Sequence, residues 1–165
     1  MKKKTKIIIS VVIIVILVIT SYIFIIEPMT WGEGDLSISI ELDKEEYEIN
    51  DTIHIKFTYK NVGNTNLRIL HWVGPGITIY NSNQSIVRCL LPEKKSASPT
   101  NDDLIVIRVG ESKTYDYRID KYSWDLKEND TYKIVANYKR VEYETISLPY
   151  WKGEITSNEE YFEIL

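Results

Sequence analysis

From residue 36 to the end of the chain, apolar and polar positions alternate with a period of two. In "LSISIEL" the residues Leu36, Ile38, Ile40 and Leu42 fall on one face. "TIHIKFTY" sets Ile53, Ile55, Phe57 and Tyr59 against His54, Lys56 and Thr58. "KTYDYRID" alternates Tyr115, Tyr117 and Ile119 with Asp116 and Arg118, and "TYKIVANY" places Tyr132, Ile134, Ala136 and Tyr138 together. Runs of this kind, rich in β-branched and aromatic residues, predict half-buried strands. Further strands are predicted at 66–72, 76–80, 85–90 and 103–109 and in the terminal "EYFEIL". Turn-forming clusters separate them: "NVGNTN", "VGPG", "NSNQ", "VGES" and "KEND", each supplying Gly, Asn or Asp where the chain must reverse. The pair 76–80 and 85–90 reads as a hairpin. About nine short strands, with no helical period over three turns, predict an all-β, antiparallel two-sheet sandwich over residues 36–165.

The front of the chain follows a different rule. Residues 7–26, "IIISVVIIVILVITSYIFII", contain no charge, no Gly and no Pro. As a helix at 1.5 Å per residue they would span about 30 Å, the thickness of a bilayer core. Lys2, Lys3, Lys4 and Lys6 precede the run. That places residues 1–6 as a basic cytoplasmic tail, 7–26 as a transmembrane signal anchor and the rest outside the membrane. A cleaved signal peptide would have a shorter apolar region, and the best cut, after Ser21, puts Ile19 where a small residue is preferred. Residues 27–35, "EPMTWGEGD", read as a linker in which Trp31 suits either a membrane interface or packing on the domain.

Charge sharpens the division. Four of the 20 basic residues precede the apolar run and none of the 24 acidic ones does, so the body carries a net charge near −8. An acidic body argues against nucleic acid as a partner. The single cysteine, Cys89, excludes an internal disulfide; in "SIVRCLL" it shares a strand face with Val87 and Leu91 and reads as a small buried residue.

"ENDTYKIVANY" carries a finer signal. An Asn-Asp turn leads to Tyr132 at a strand start with Ile134 two places on, the pattern of a tyrosine corner in immunoglobulin-like sandwiches. Ile55 or Phe57 would then replace the other core cysteine of such folds, and Trp72 is the expected core tryptophan. From Tyr47 to Tyr138 the chain also resembles the intracellular proteinase inhibitor family of the BsuPI type. "EYEINDTIHIKFTYKNVGNTNLRI" looks like that family's opening, "GITIYNSNQSIVR" like its central hairpin, "IRVGESKTYDYRID" like its Gly-Glu-Ser turn and "NDTYKIVANY" like its last shared strand. The resemblance implies an immunoglobulin-like sandwich; no inhibitory residue of the family maps onto a position here.

Catalytic and metal signatures are missing from the sequence. The two histidines, His54 and His71, share no short motif, and there is no HExxH, CxxC, GxSxG, P-loop or GxGxxG. The expectation is no enzyme, no cofactor and no metal; acidic loops such as "DKEEYE" and "NDD" read as solvated surface rather than calcium sites. Tyr150 and Trp151, after Pro149, form either a contact platform or a cover over the sandwich edge. Asn50, Asn83 and Asn129 begin Asn-x-Ser/Thr sequons in predicted turns. The sequence therefore points to a membrane-anchored binding module for a protein or envelope component. Two alternatives stand beside it: a surface protease inhibitor with residues 91–103 as bait, and a structural accessory subunit of an envelope assembly.

Overall fold

The computed structural model describes residues 3–21, 34–71, 74–92 and 97–165. One helix, α1 (Lys3–Ser21), opens the chain. Its side chains at residues 11–20 are exposed, and Thr20 donates back to the carbonyls of Ile16 and Leu17. Among the described residues no helix is long and apolar enough to cross a membrane. The predicted span runs past α1 into residues 22–26, which lie outside the described residues, as does Trp31.

The remainder is β structure. Among the described residues nine strands follow: β1 (Leu36–Leu42), β2 (Glu46–Tyr47), β3 (Ile53–Asn61), β4 (Leu67–Leu70), β5 (Gly76–Tyr80), β6 (Leu104–Ile107), β7 (Ser112–Ile119), β8 (Asp130–Arg140) and β9 (Gly153–Ile164). One sheet has the order β1-β3-β7, a second the order β2-β9-β8-β5, and β4 pairs with β6. The ladders are antiparallel except that of β2, which runs parallel to β9. The two larger sheets face each other across one apolar core. Ile38, Ile55, Phe57 and Tyr59 come from the first; Tyr132, Ile134, Tyr138, Phe162 and Ile164 come from the second. The rings of Tyr59 and Tyr138 meet across the gap at 5.1 Å. The fold is an all-β sandwich, as the alternation predicts.

Three expectations need correction. Two sheets were expected, and β4 with β6 makes a third, small ladder. Residues 85–90 form no strand: they make isolated bridges from Ile86 to Tyr80 and from Cys89 to Trp124. The predicted hairpin therefore turns as expected, with Asn81 Oδ1 accepting from the N–H groups of Asn83 and Ser85, but its second arm leaves the sheet. Cys89 is consequently exposed rather than buried, while Val87 does turn inward. Trp72 lies outside the described residues; Trp124 and Trp151 are the tryptophans found in the core.

The two seams of the sandwich are unlike. Along one, a bulge in β9 sets Ser157 and Asn158 opposite Ala136 alone. The Ala136 N–H donates to Ser157 Oγ at 2.9 Å. Asn158 is thereby turned toward the edge of β1. Its Oδ1 accepts from the Ile40 N–H at 2.9 Å and its Nδ2 donates to the Ile40 carbonyl at 3.1 Å. One carboxamide thus supplies β1 with the bonds a neighbouring strand would give. At the opposite seam, between β5 and β7, residues 86–90 instead cross from β5 to Trp124.

The end where the chain enters is held by Asn61, which is fully buried. Its Nδ2 donates to the carbonyls of Thr65 (2.8 Å) and Ile107 (3.0 Å), and its Oδ1 accepts from the Gly63 N–H at 3.1 Å. Beside it the Asp35 carbonyl accepts from the N–H groups of Val62 and Gly63. A Cβ on Gly63 would lie 2.7 Å from the Asp35 nitrogen, so this entry tolerates no larger residue.

Asn158→Ala is expected to cost about 1–3 kcal/mol, because it strips two backbone groups of their partners. Denaturant unfolding measures the loss, and hydrogen exchange should show the Ile40 amide losing protection before those of β3. Unchanged protection at Ile40 would mean that water or another group replaces the carboxamide.

Candidate functional site

The β5–β7 seam carries a cleft of about 450 Å³, lined by Phe57, Tyr59, His71, Gly74, Pro75, Tyr115, Asp116 and Tyr117. Strand alternation builds its walls. Phe57 and Tyr59 occupy the inner face of β3, and Tyr115 and Tyr117 the inner face of β7, with Phe57 directly opposite Tyr115. On β3 these rings are covered; on the outer strand β7 they emerge, Tyr117 to 41%. Aromatic edges meet faces along the cleft: Phe57 with Tyr117 at 6.0 Å, and Tyr59 with Tyr115 at 6.1 Å. His71 follows β4, held by its N–H to the Asp103 carbonyl. Its imidazole stacks on Tyr115 at 3.7 Å.

The cleft is uncharged. Asp116 is the one charged residue in the lining, and alternation sends its side chain to the other face of the sheet. There it borders a smaller hollow with Glu41, His54 and Lys56. Burial pushes the Tyr59 phenol above its ordinary range and pushes the His71 imidazole down. Both groups are therefore neutral at neutral pH. The nearest cation, Arg140, is engaged behind the wall. It packs 4.1 Å from the Tyr138 ring and donates to the carbonyls of Lys139 and Gly74.

Two polar atoms in this neutral wall, Tyr59 Oη and His71 Nδ1, are buried without a hydrogen-bond partner among the described residues. Such a group costs about 1–3 kcal/mol relative to a satisfied one. The space between the aromatic walls suits an uncharged ring or side chain. The cleft escaped sequence reasoning because Tyr59, Tyr115 and Tyr117 share the inward phase of any core tyrosine.

The residues singled out in the sequence fall elsewhere. Tyr132 has the corner geometry: its hydroxyl accepts from the Lys127 N–H at 2.7 Å and donates to the Lys127 carbonyl at 3.3 Å. Tyr150 and Trp151 offer no platform, being 5% and 6% exposed. The Tyr150 hydroxyl donates to the Val141 carbonyl and accepts from the Tyr143 N–H, closing the 141–150 loop on itself. Trp151 donates its N–H to the Arg68 carbonyl and packs on Tyr138 at 5.5 Å. Gly153, at φ +154, lies over the indole, where a Cβ would approach to 2.9 Å. The pair plugs the sandwich end. Asn50, Asn83 and Asn129 are exposed and lie in turns; Asn129 adopts φ +58, which asparagine tolerates. The acidic loops spend their carboxylates locally. Asp43 accepts from the Tyr47 hydroxyl and the His54 N–H, Asp51 pairs with Lys44, and Asp103 accepts from Thr100. Among the described residues no group of three His, Cys, Asp or Glu could hold a metal ion.

No family model and no curated protein matches this chain. Among solved structures it is similar to the CARDB domain of the PF1109 protein from Pyrococcus furiosus, in complex with di-metal ions. The identity is 11% and the TM-score 0.40, over 82% of this chain and 91% of that one. A β-glucosidase from Erythrobacter marinus matches at 11% identity and TM-score 0.34, over 77% of this chain and 16% of that chain. A β-glucosidase from Listeria innocua in complex with glucose matches at 12% and 0.32, over 82% and 18%. This chain spans under a fifth of either glucosidase. These likenesses are too slight to assign a family or an activity.

Tyr59→Phe removes an unpartnered buried hydroxyl and is expected to raise stability by about 1 kcal/mol. Tyr138→Phe, whose hydroxyl donates to the Leu70 carbonyl at 2.9 Å, should lower it by a similar amount. Urea unfolding of both variants is the check; equal effects would show that the Tyr59 hydroxyl is bonded in solution.

Proposed function

We propose that this chain is a membrane-anchored, extracytoplasmic binding module without catalytic activity, and that the aromatic cleft is its ligand seat. Residues 7–26 act as the signal anchor. The sandwich is of the immunoglobulin-like kind, a reading favoured by the Tyr132 corner and by the parallel pairing of β2 with β9. The observation that carries the binding role is the uncharged, aromatic-walled cleft, with Tyr59 Oη and His71 Nδ1 buried beside it without a partner among the described residues. Mostly apolar clefts with a few convergent polar groups are the usual form of small-ligand sites. The ligand is an uncharged ring or side chain with hydrogen-bonding capacity, from a protein or an envelope component.

The seat is tested with the full chain in detergent micelles, screened by thermal shift and calorimetry. The panel comprises neutral mono- and disaccharides, N-acetylated amino sugars and aromatic amino-acid amides. At least one should raise the melting temperature, and Tyr59→Phe and His71→Phe should each abolish that rise. Binding indifferent to both substitutions, or no binder in the panel, overturns the assignment. For the anchor, intact mass of the membrane-fraction protein should include residues 1–26; a mature chain beginning near Tyr22 overturns it.

A further inference from the structure

β7 is the outer strand of its sheet. Among the described residues, the backbone of 112–119 bonds to β3 and to no other segment. The parity of its free groups follows from one bond. The Asn61 N–H donates to the Glu111 carbonyl at 3.1 Å, which directs the backbone groups of odd-numbered residues in this strand toward β3. Those of Ser112, Thr114, Asp116 and Arg118 therefore point to the open edge. Among the described residues, neither Asp116 nor Arg118 takes part in an ion pair. Natural sheet edges are usually blunted by such charges, but here the two have opposite signs two residues apart.

We propose that β7 is a self-pairing edge, on which a second copy of this chain docks its own β7 antiparallel about a two-fold axis through Tyr117. An antiparallel pair joins edge-directed residues to edge-directed residues, so even-numbered positions must face even-numbered positions. Of the registers that obey this rule, one alone sets Asp116 opposite Arg118 of the second copy, and by symmetry does so twice. A register centred on Asp116 opposes two carboxylates, and one centred on Arg118 opposes two guanidiniums; like charges directly opposite are destabilising. With the axis at Tyr117, that half-exposed ring meets its own copy in a non-hydrogen-bonded pair, where Cα atoms approach to about 4.5 Å. Tyr115 then lies opposite Ile119 on the inner face. The isologous contact satisfies two edge residues of each strand, Asp116 and Arg118, in backbone and in charge at once.

The test uses the full chain in detergent micelles with Cys89→Ser as background. Single cysteines at Lys113, Tyr115 and Tyr117 are oxidised, and sedimentation follows the charge variants. Tyr117→Cys should give a disulfide-linked dimer in far higher yield than the other two. Asp116→Arg should weaken dimerisation at least tenfold, and Asp116→Arg with Arg118→Asp should restore it. Cross-linking that peaks at residue 113 or 115 overturns the register. A dimer indifferent to Asp116→Arg, a double variant as weak as the single one, or a monomer at every concentration reached overturns the proposal itself.

Discussion

The carboxamide of Asn158 decides which side of the sandwich is shut. A sheet of three strands has two edges, and each presents backbone groups that must find partners or face water. Asn158 meets the need at β1 by binding both the N–H and the carbonyl of Ile40. It can do so because the β9 bulge rotates it out of the β8–β9 ladder, while Ser157 takes over the Ala136 N–H. The two sheets are therefore joined along β1 and β9, whereas β7 at the opposite seam has no strand beyond it in its sheet. The cleft, the exposed Tyr117 and the free edge of β7 all lie on that side.

Much of this architecture was legible in the alternation. β1, β3, β7 and β8 follow their apolar phase closely, because each covers one face and leaves the other wet. What failed did so for local reasons. Residues 85–90 alternate like a strand, yet the turn at 81–85 sends them across to Trp124 instead of along β5, and Cys89 emerges. The first half of β9, "ITSNEE", lacks apolar alternation beyond Ile155 because the bulge breaks its phase. Tyr150 and Trp151 looked like a loop motif; nothing in their own sequence tells that Leu70 and Tyr138 wait beneath them. Edge status, the property that makes Tyr115 and Tyr117 a cleft wall, belongs to the sheet order and not to the strand.

The cleft shows how a core becomes a site without a special residue. Phe57 and Tyr59 pack as core rings do, and the absence of a further strand beyond β7 in its sheet leaves Tyr115 and Tyr117 partly open beside them. The unmet hydroxyl of Tyr59 and nitrogen of His71 are the cost of that opening. Because Asp116 points away and Arg140 is occupied behind Gly74, no charge dictates what fills the space. Selectivity there rests on shape and on a few hydrogen bonds.

The tie between Asp35 and the Val62–Gly63 turn has a mechanical side. A tension arriving at Asp35 and resisted at the rings of β3 and β7 would run lengthwise along β1 and its neighbour. Ladder bonds lie across that direction, so the bonded pairs between Leu36–Asn61 and Leu42–Ile55 share the load in shear instead of parting one after another. A domain gripped at its cleft and tugged from its leading end is thus built to hold under strain.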